Sequence, residues 1–179
     1  MDNSSFINIQ RDCDGHLIPS GDIVNLKKGT QVKITQSLGG DYTLYVNGNL
    51  VKISGEDADA IGQKIKKDTS SKKEFSFDEK HIWDVLKTCY DPEIPVNIVD
   101  LGLIYNMEYK QENDDLYFIN IKMTLTAPGC GMGPVIAQDV ETKIKNLNFV
   151  KDVLVEVVWD PIWNQDMMSE EAKLKLGML

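Results

Sequence analysis

The spacing of apolar residues changes character near residue 76. Before it, apolar positions come in short alternating runs separated by turn residues. Residues 31–35 read as a strand. Residues 42–46 and 50–53 read as two more, flanking Asn47-Gly48-Asn49, where Asn and Gly accept the positive φ of a tight hairpin. Ile18-Pro19-Ser20-Gly21-Asp22 and Lys28-Gly29-Thr30 read as turns, and Ser54-Gly55-Glu56-Asp57 opens a short helix. These elements predict a small β-roll or barrel.

After residue 76 the periods are longer. Ser76-Phe77-Asp78-Glu79 has the form of a capping box, and Ile82, Val85, Leu86 and Cys89 then share one helical face. Leu103, Tyr105, Met107 and Tyr109 alternate along a strand, and so do Tyr117, Ile119, Ile121, Met123 and Leu125 along the next, with 111–115 as the turn. Pro134 suits the first turn of a helix carrying Ile136, Val140, Ile144 and Leu147 inward. Residues 153–159 form a β-branched strand, and Ser169 caps a last short helix in which Lys175 follows Glu171 by one turn. The predicted class is α+β: a β-rich domain at 1–62, a linker at 63–75, and an αββαβ sandwich at 76–179 with a C-terminal helical tail. Helices are expected on one face of a small sheet.

Charge supports the same division. Residues 1–62 carry eight acids against five bases, 63–75 five lysines against two acids, and 76–179 eighteen acids against nine bases. The middle stretch reads as a solvated Lys-rich connector. The net charge of −9 over 179 residues argues against nucleic acid as the main partner. No apolar run has the length of a membrane span, and the N-terminus lacks a secretory leader's pattern, so a cytoplasmic protein is expected. Cys13, Cys89 and Cys130 stand 76 and 41 residues apart with no CxxC pair, which disfavours a disulfide framework and a self-contained metal-cluster site.

The candidate chemistry lies in two loops. Thr124-Leu125-Thr126-Ala127-Pro128-Gly129-Cys130-Gly131-Met132-Gly133-Pro134 sets one thiol at a strand-to-helix turn, where unpaired amides and the helix dipole favour a thiolate. Packing and function both remain open for Cys130 on this chemistry alone. Asp91-Pro92-Glu93 presents two carboxylates that could bind a hard metal or share a proton, but spacing alone favours the plainer reading, in which Asp91 caps a turn before Pro92 and Glu93 is exposed. Asp100-Leu101-Gly102 reads as a turn in which Asp100 bonds local amides. Cys89 reads as core, and carboxylates near Cys13 should raise its pKa. Gly129-x-Gly131-x-Gly133 lacks the Lys-Ser/Thr of a phosphate loop. Trp159, Trp163, Met167 and Met168 read as packing for the tail.

Taken together, Asp91-Pro92-Glu93-Ile94, Ile98-Val99-Asp100-Leu101-Gly102-Leu103-Ile104-Tyr105, the Thr124–Cys130 stretch and Trp159-Asp160-Pro161-Ile162-Trp163 resemble the MIP18 family (the DUF59 domain). Arg11-Asp12-Cys13, Ile18-Pro19-Ser20-Gly21, Thr35-Gln36-Ser37-Leu38-Gly39-Gly40 and Asn47-Gly48-Asn49-Leu50 look like the extra domain of SufT-type bacterial members, which extends the resemblance over nearly the full chain. Two departures stand out: Cys130-Gly131 where many relatives have Cys-Pro, and Asp160-Pro161-Ile162-Trp163 where they have Asp-Pro-Pro-Trp.

The resemblance implies the family's fold and a non-catalytic accessory role in iron–sulfur cluster assembly or transfer to client apoproteins. It implies a pocket built from Asp91, Glu93, Thr126 and Cys130, with Cys130 as metal ligand. A cluster wants about four ligands and each chain offers one well-placed sulfur, so the expected cargo is a labile iron–sulfur cluster or iron, lost on purification and bridged across a homodimer or completed from outside. The expected partners are the assembly machinery and client apoproteins, with neither nucleic acid nor membrane. The alternative is a pure adaptor that binds no cluster, with Cys130 structural. An enzyme using the Cys130 thiolate ranks last, because no histidine is placed as its base.

Overall fold

The computed structural model describes residues 5–65, 76–113 and 115–178. The chain forms two compact units, Met1–Ser71 and Lys72–Leu179. Most of the Lys-rich stretch at 63–75 lies outside the described residues.

The first unit is one antiparallel sheet of six strands: β1 (Ile7–Asn8), β2 (Cys13–Ile18), β3 (Ile23–Leu26), β4 (Gln31–Leu38), β5 (Asp41–Val46) and β6 (Asn49–Ile53). Their spatial order is β1-β4-β5-β6-β2-β3. The β5–β6 hairpin closes as expected: Val46 pairs with Asn49, leaving Asn47 (φ 49°) and Gly48 (φ 88°) as a two-residue turn. Strand β4 runs past the expected 31–35 because a bulge between Ile34 and Gln36 lets pairing with β5 continue to Leu38. β1, β2 and β3 had no strand signal of their own and form by pairing: β1 with β4, β2 with β6, and β3 on the far edge with β2.

Ser54 caps a 3₁₀ helix over Gly55–Ile61, which puts Ala58, Ala60 and Ile61 into a core with Ile9, Val32, Leu44, Val51 and Ile53. Arg11 clamps that helix. Its Nε donates to Asp59 at 2.7 Å, and its Nη2 pairs with Asp57 at 2.9 Å. The two carboxylates raise the Arg11 pKa, and the Arg11 hydrogen bond draws the Asp59 carboxyl below its usual range.

The second unit has the expected αββαβ order: α1 (Glu79–Leu86), β7 (Ile104–Asn113), β8 (Leu116–Met123), α2 (Gly133–Lys145) and β9 (Val150–Val157), then a 3₁₀ turn (Gln165–Met167) and α3 (Glu170–Lys175). β7 and β8 are antiparallel; β8 and β9 are parallel, joined through α2. α2 packs on β9 and α1 on α2. Ile119, Ile121 and Met123 are fully buried, whereas Lys122 between them is exposed, so the helices cover one face of the sheet.

Two local expectations need correcting. The cap of α1 is Asp78, which accepts from the Lys80 amide at 2.9 Å; Ser76 lies outside the helix. The cause is Phe77, which stacks on Tyr117 (centroids 3.9 Å apart) and meets Phe149 edge-on, while the backbone at Asp78 remains extended. The 111–115 turn is also tighter than expected, with Asn113 pairing directly with Leu116. The C-terminal helix is as read: Ser169 caps it by accepting from the Ala172 amide, and Glu171 pairs with Lys175 at 3.2 Å.

Candidate functional site

Three loops carry the chemistry of the second unit: residues 87–103, 124–132 and 158–169. In the first, Asp91 is buried, and its Oδ1 accepts from the amides of Glu93 (2.8 Å) and Ile94 (3.0 Å). Asp91 therefore caps its own turn, and Glu93 is left exposed. The next turn differs from expectation. Asn97, not Asp100, takes the local amides: its Oδ1 accepts from Val99 and Asp100, while its Nδ2 donates to Asp100 Oδ2 at 2.6 Å. A side-chain amide can donate and accept at once, which a carboxylate cannot.

In the second loop, Thr126 and Cys130 are half-buried. The Cys130 carbonyl accepts from Gly133 at 3.1 Å, and α2 starts three residues beyond the thiol with no side-chain cap at Met132. Thr124 is completely buried, and its hydroxyl has no hydrogen-bond partner among the described residues. Cys89 is fully buried, as its helical face implied. Cys13, in the first unit, is also buried; burial first and Asp57 second push its pKa up.

The three loops meet along the backbone at 100–103. The Thr124 amide donates to the Leu103 carbonyl (2.8 Å), Trp163 Nε1 to that of Leu101 (2.8 Å) and the Ser169 amide to that of Asp100 (2.8 Å). Gly102 sits at φ 72°, and a Cβ there would overlap the Met167 carbonyl, so only glycine allows this approach. Trp163 and buried Met168 thus pack the tail, as expected. This hub had no signal in the sequence beyond the motifs themselves, because it consists of backbone carbonyls.

The pairs Asp91–Glu93 and Thr126–Cys130 each share a loop. Both hydrogen bonds of Asp91 stay within its own turn, and among the described residues no three of His, Cys, Asp and Glu stand close enough to hold a metal. Of the three cysteines, Cys130 is the one that is not buried. A separate open cleft of about 670 Å³ is lined by Gly102, Ile104, Tyr105, Lys122, Val158, Asp160, Pro161 and Met167, and includes none of those four residues. Its shape depends on a bulge between Ile104 and Asn106, which takes Tyr105 out of register and lets its hydroxyl donate to the Pro161 carbonyl at 2.7 Å.

Residues 79–157 match the family model described as "Iron-sulfur cluster assembly protein". An "Fe-S protein maturation auxiliary factor" from Porphyromonas gingivalis is 47% identical over 106 residues, 97% of that protein and 59% of this chain. The chain belongs to the iron–sulfur cluster assembly protein family. Another member, "Fe-S protein maturation auxiliary factor SufT" from Staphylococcus aureus, is 42% identical over 88 residues, 96% of that protein and 49% of this chain. A crystal structure of a "Domain of Unknown Function DUF59" from Bacillus anthracis matches with a TM-score of 0.51 at 36% identity, covering 56% of this chain and 92% of that one. The family fold expected from the motifs is therefore present. These relatives are nearly whole within about half to three-fifths of this chain, so the match to them does not extend over nearly its full length. Among the described residues no helix is long and apolar enough to cross a membrane.

Proposed function

We propose that this chain, an accessory factor in iron–sulfur protein maturation, works without catalysing a reaction: Cys130 takes iron or a cluster and passes it to a client apoprotein. One observation carries this reading. Of the three thiols, Cys130 alone is not buried, and it lies within the residues 79–157 that match the family model. On binding iron the thiol gives up its proton and the thiolate becomes the ligand. A single sulfur leaves a cluster's other positions to a second copy, the assembly machinery or the client, so retention is weak and transfer is favoured. The cytoplasm, where thiols stay reduced, is the compartment that suits it.

Anaerobic reconstitution with iron and sulfide tests the reading. The expected result is about one labile cluster per two chains, lost in Cys130→Ser; a stable cluster in that variant overturns it. A second reading, an adaptor that carries no cluster, is favoured by the Asp91 carboxylate being engaged in its own turn and by the lack of convergent ligands among the described residues. Complementation separates the two: full rescue by Cys130→Ala supports the adaptor, whereas failure with normal folding supports the thiol.

A further inference from the structure

Met167 sits where the third loop closes on the 100–103 hub. Its carbonyl is the atom that a Cβ at Gly102 would overlap, and its amide donates to the Asn164 carbonyl at 3.1 Å. Its side chain is half-buried and lines the open cleft, so a small solute reaches it from solvent. Beside it stands the Tyr105 hydroxyl, 2.7 Å from the Pro161 carbonyl and 3.5 Å from Met167 Sδ. A tyrosine has one proton to donate, and a thioether sulfur accepts only weakly. The proton therefore goes to Pro161, which ties the 158–163 segment to strand β7.

We propose that Met167 is a site of reversible oxidation by peroxide, and that its sulfoxide draws the Tyr105 proton away from Pro161 and frees the 158–163 segment. A sulfur lone pair attacks one peroxide oxygen, the O–O bond breaks, and the proton on the transferred oxygen passes to the departing hydroxide. Thioether and hydrogen peroxide become sulfoxide and water. In the stereoisomer that points at Tyr105, the sulfoxide oxygen is a strong acceptor one bond nearer the hydroxyl than the sulfur was. Two acceptors then compete for one O–H. The sulfoxide lies half-buried against Ile104 and Val158, where an unpaired polar group is costly, whereas Pro161 is exposed and water replaces its lost donor. Trp163 and Ser169 keep their bonds to Leu101 and Asp100, so the tail stays docked while the stretch bearing exposed Trp159 and Ile162 loses an anchor. A methionine sulfoxide reductase reverses the change. The inference goes beyond the proposed function and needs neither Cys130 nor a cluster.

The test treats the full chain with hydrogen peroxide and follows it by peptide mass mapping and NMR. Exposed Met178 should oxidise first and Met167 next, with buried Met123, Met132 and Met168 well behind. As Met167 gains oxygen, the Pro161 carbonyl carbon resonance should move to the position it holds in untreated Tyr105→Phe. Opening at the neighbouring anchor, read as solvent exchange of the Trp163 indole proton, should rise about threefold to tenfold, the range of one lost hydrogen bond. Met167→Leu keeps the bulk of the side chain and forms no sulfoxide, so peroxide should leave both readouts unchanged in it. Cys130→Ser should respond like the unaltered chain, which separates this step from thiol oxidation and from any failure of cluster loading. Met167 oxidising no faster than Met123 and Met132, a Pro161 shift that persists in treated Met167→Leu, or an oxidised Met167 with an unmoved Pro161 carbonyl would each overturn the proposal.

Discussion

The two units spend their residues differently. The N-terminal unit joins most of its strands by tight turns, and its one cysteine is sealed in the core. The C-terminal unit has half as many strands and three long loops, and its half-exposed thiol, its exposed Glu93 and its cleft all lie on or beside those loops. Tight turns fix register and leave little backbone unsatisfied. Long loops must be held by contacts of their own, and here Asp91, Asn97 and the 100–103 carbonyls hold them. A rigid loop carried by a packed sheet is what a transfer site needs, and the family match falls on this unit.

The largest test of this contrast is in the cores. Leu44→Ala and Ile121→Ala should each cost about 3 kcal/mol, since both side chains are fully buried. All three tryptophans lie in the C-terminal unit, so tryptophan fluorescence in urea reports that unit alone. Ile121→Ala should shift that transition and Leu44→Ala should not; an equal shift from both would break the separation. Next is Gly102→Ala, expected to cost about 2 kcal/mol from left-handed strain and overlap with Met167. Emission from Trp163 should move to longer wavelength as the tail lifts, and an unchanged spectrum would argue against the hub.

Smaller effects sharpen the picture of the acidic loop. Asp91→Ala should destabilise by about 1–2 kcal/mol through loss of two capped amides. Glu93→Ala should change stability by less than about 0.5 kcal/mol, leaving any loss of client maturation in cells as a functional effect. The smallest is a pH effect in the N-terminal unit. Burial and Asp57 raise the Cys13 pKa, so the folded state holds that proton more tightly than the unfolded chain does. The resulting stability is complete below the ordinary thiol value of about 8.5 and is lost as pH rises through the raised value. Amide exchange of the N-terminal core should accelerate in that window, and Cys13→Ala should flatten the response.

Periodic elements were legible in the chain itself. The αββαβ order, the Asn47-Gly48 hairpin, the Ser169 cap and the burial of Cys89 all follow from spacing and local turn chemistry, which depend on neighbours in sequence. The capping box at Ser76 misled because Phe77 is recruited by Tyr117 and Phe149, residues 40 and 72 positions away. Strands β1 to β3 went unread for a similar reason: β1 forms by pairing with β4, β2 by pairing with β6, and β3 by pairing with β2.

The same division holds for the site. Sequence alone picked out the loop motifs, the lone thiol and the acidic pair, because glycines, prolines and reactive side chains mark themselves. Only the tertiary structure decided that Asp91 is consumed by its own turn, that Asn97 holds the next one, and that three loops are pinned to the carbonyls of 100–103. Backbone carbonyls are the same in every residue, so which of them becomes a hub depends on what folds against them.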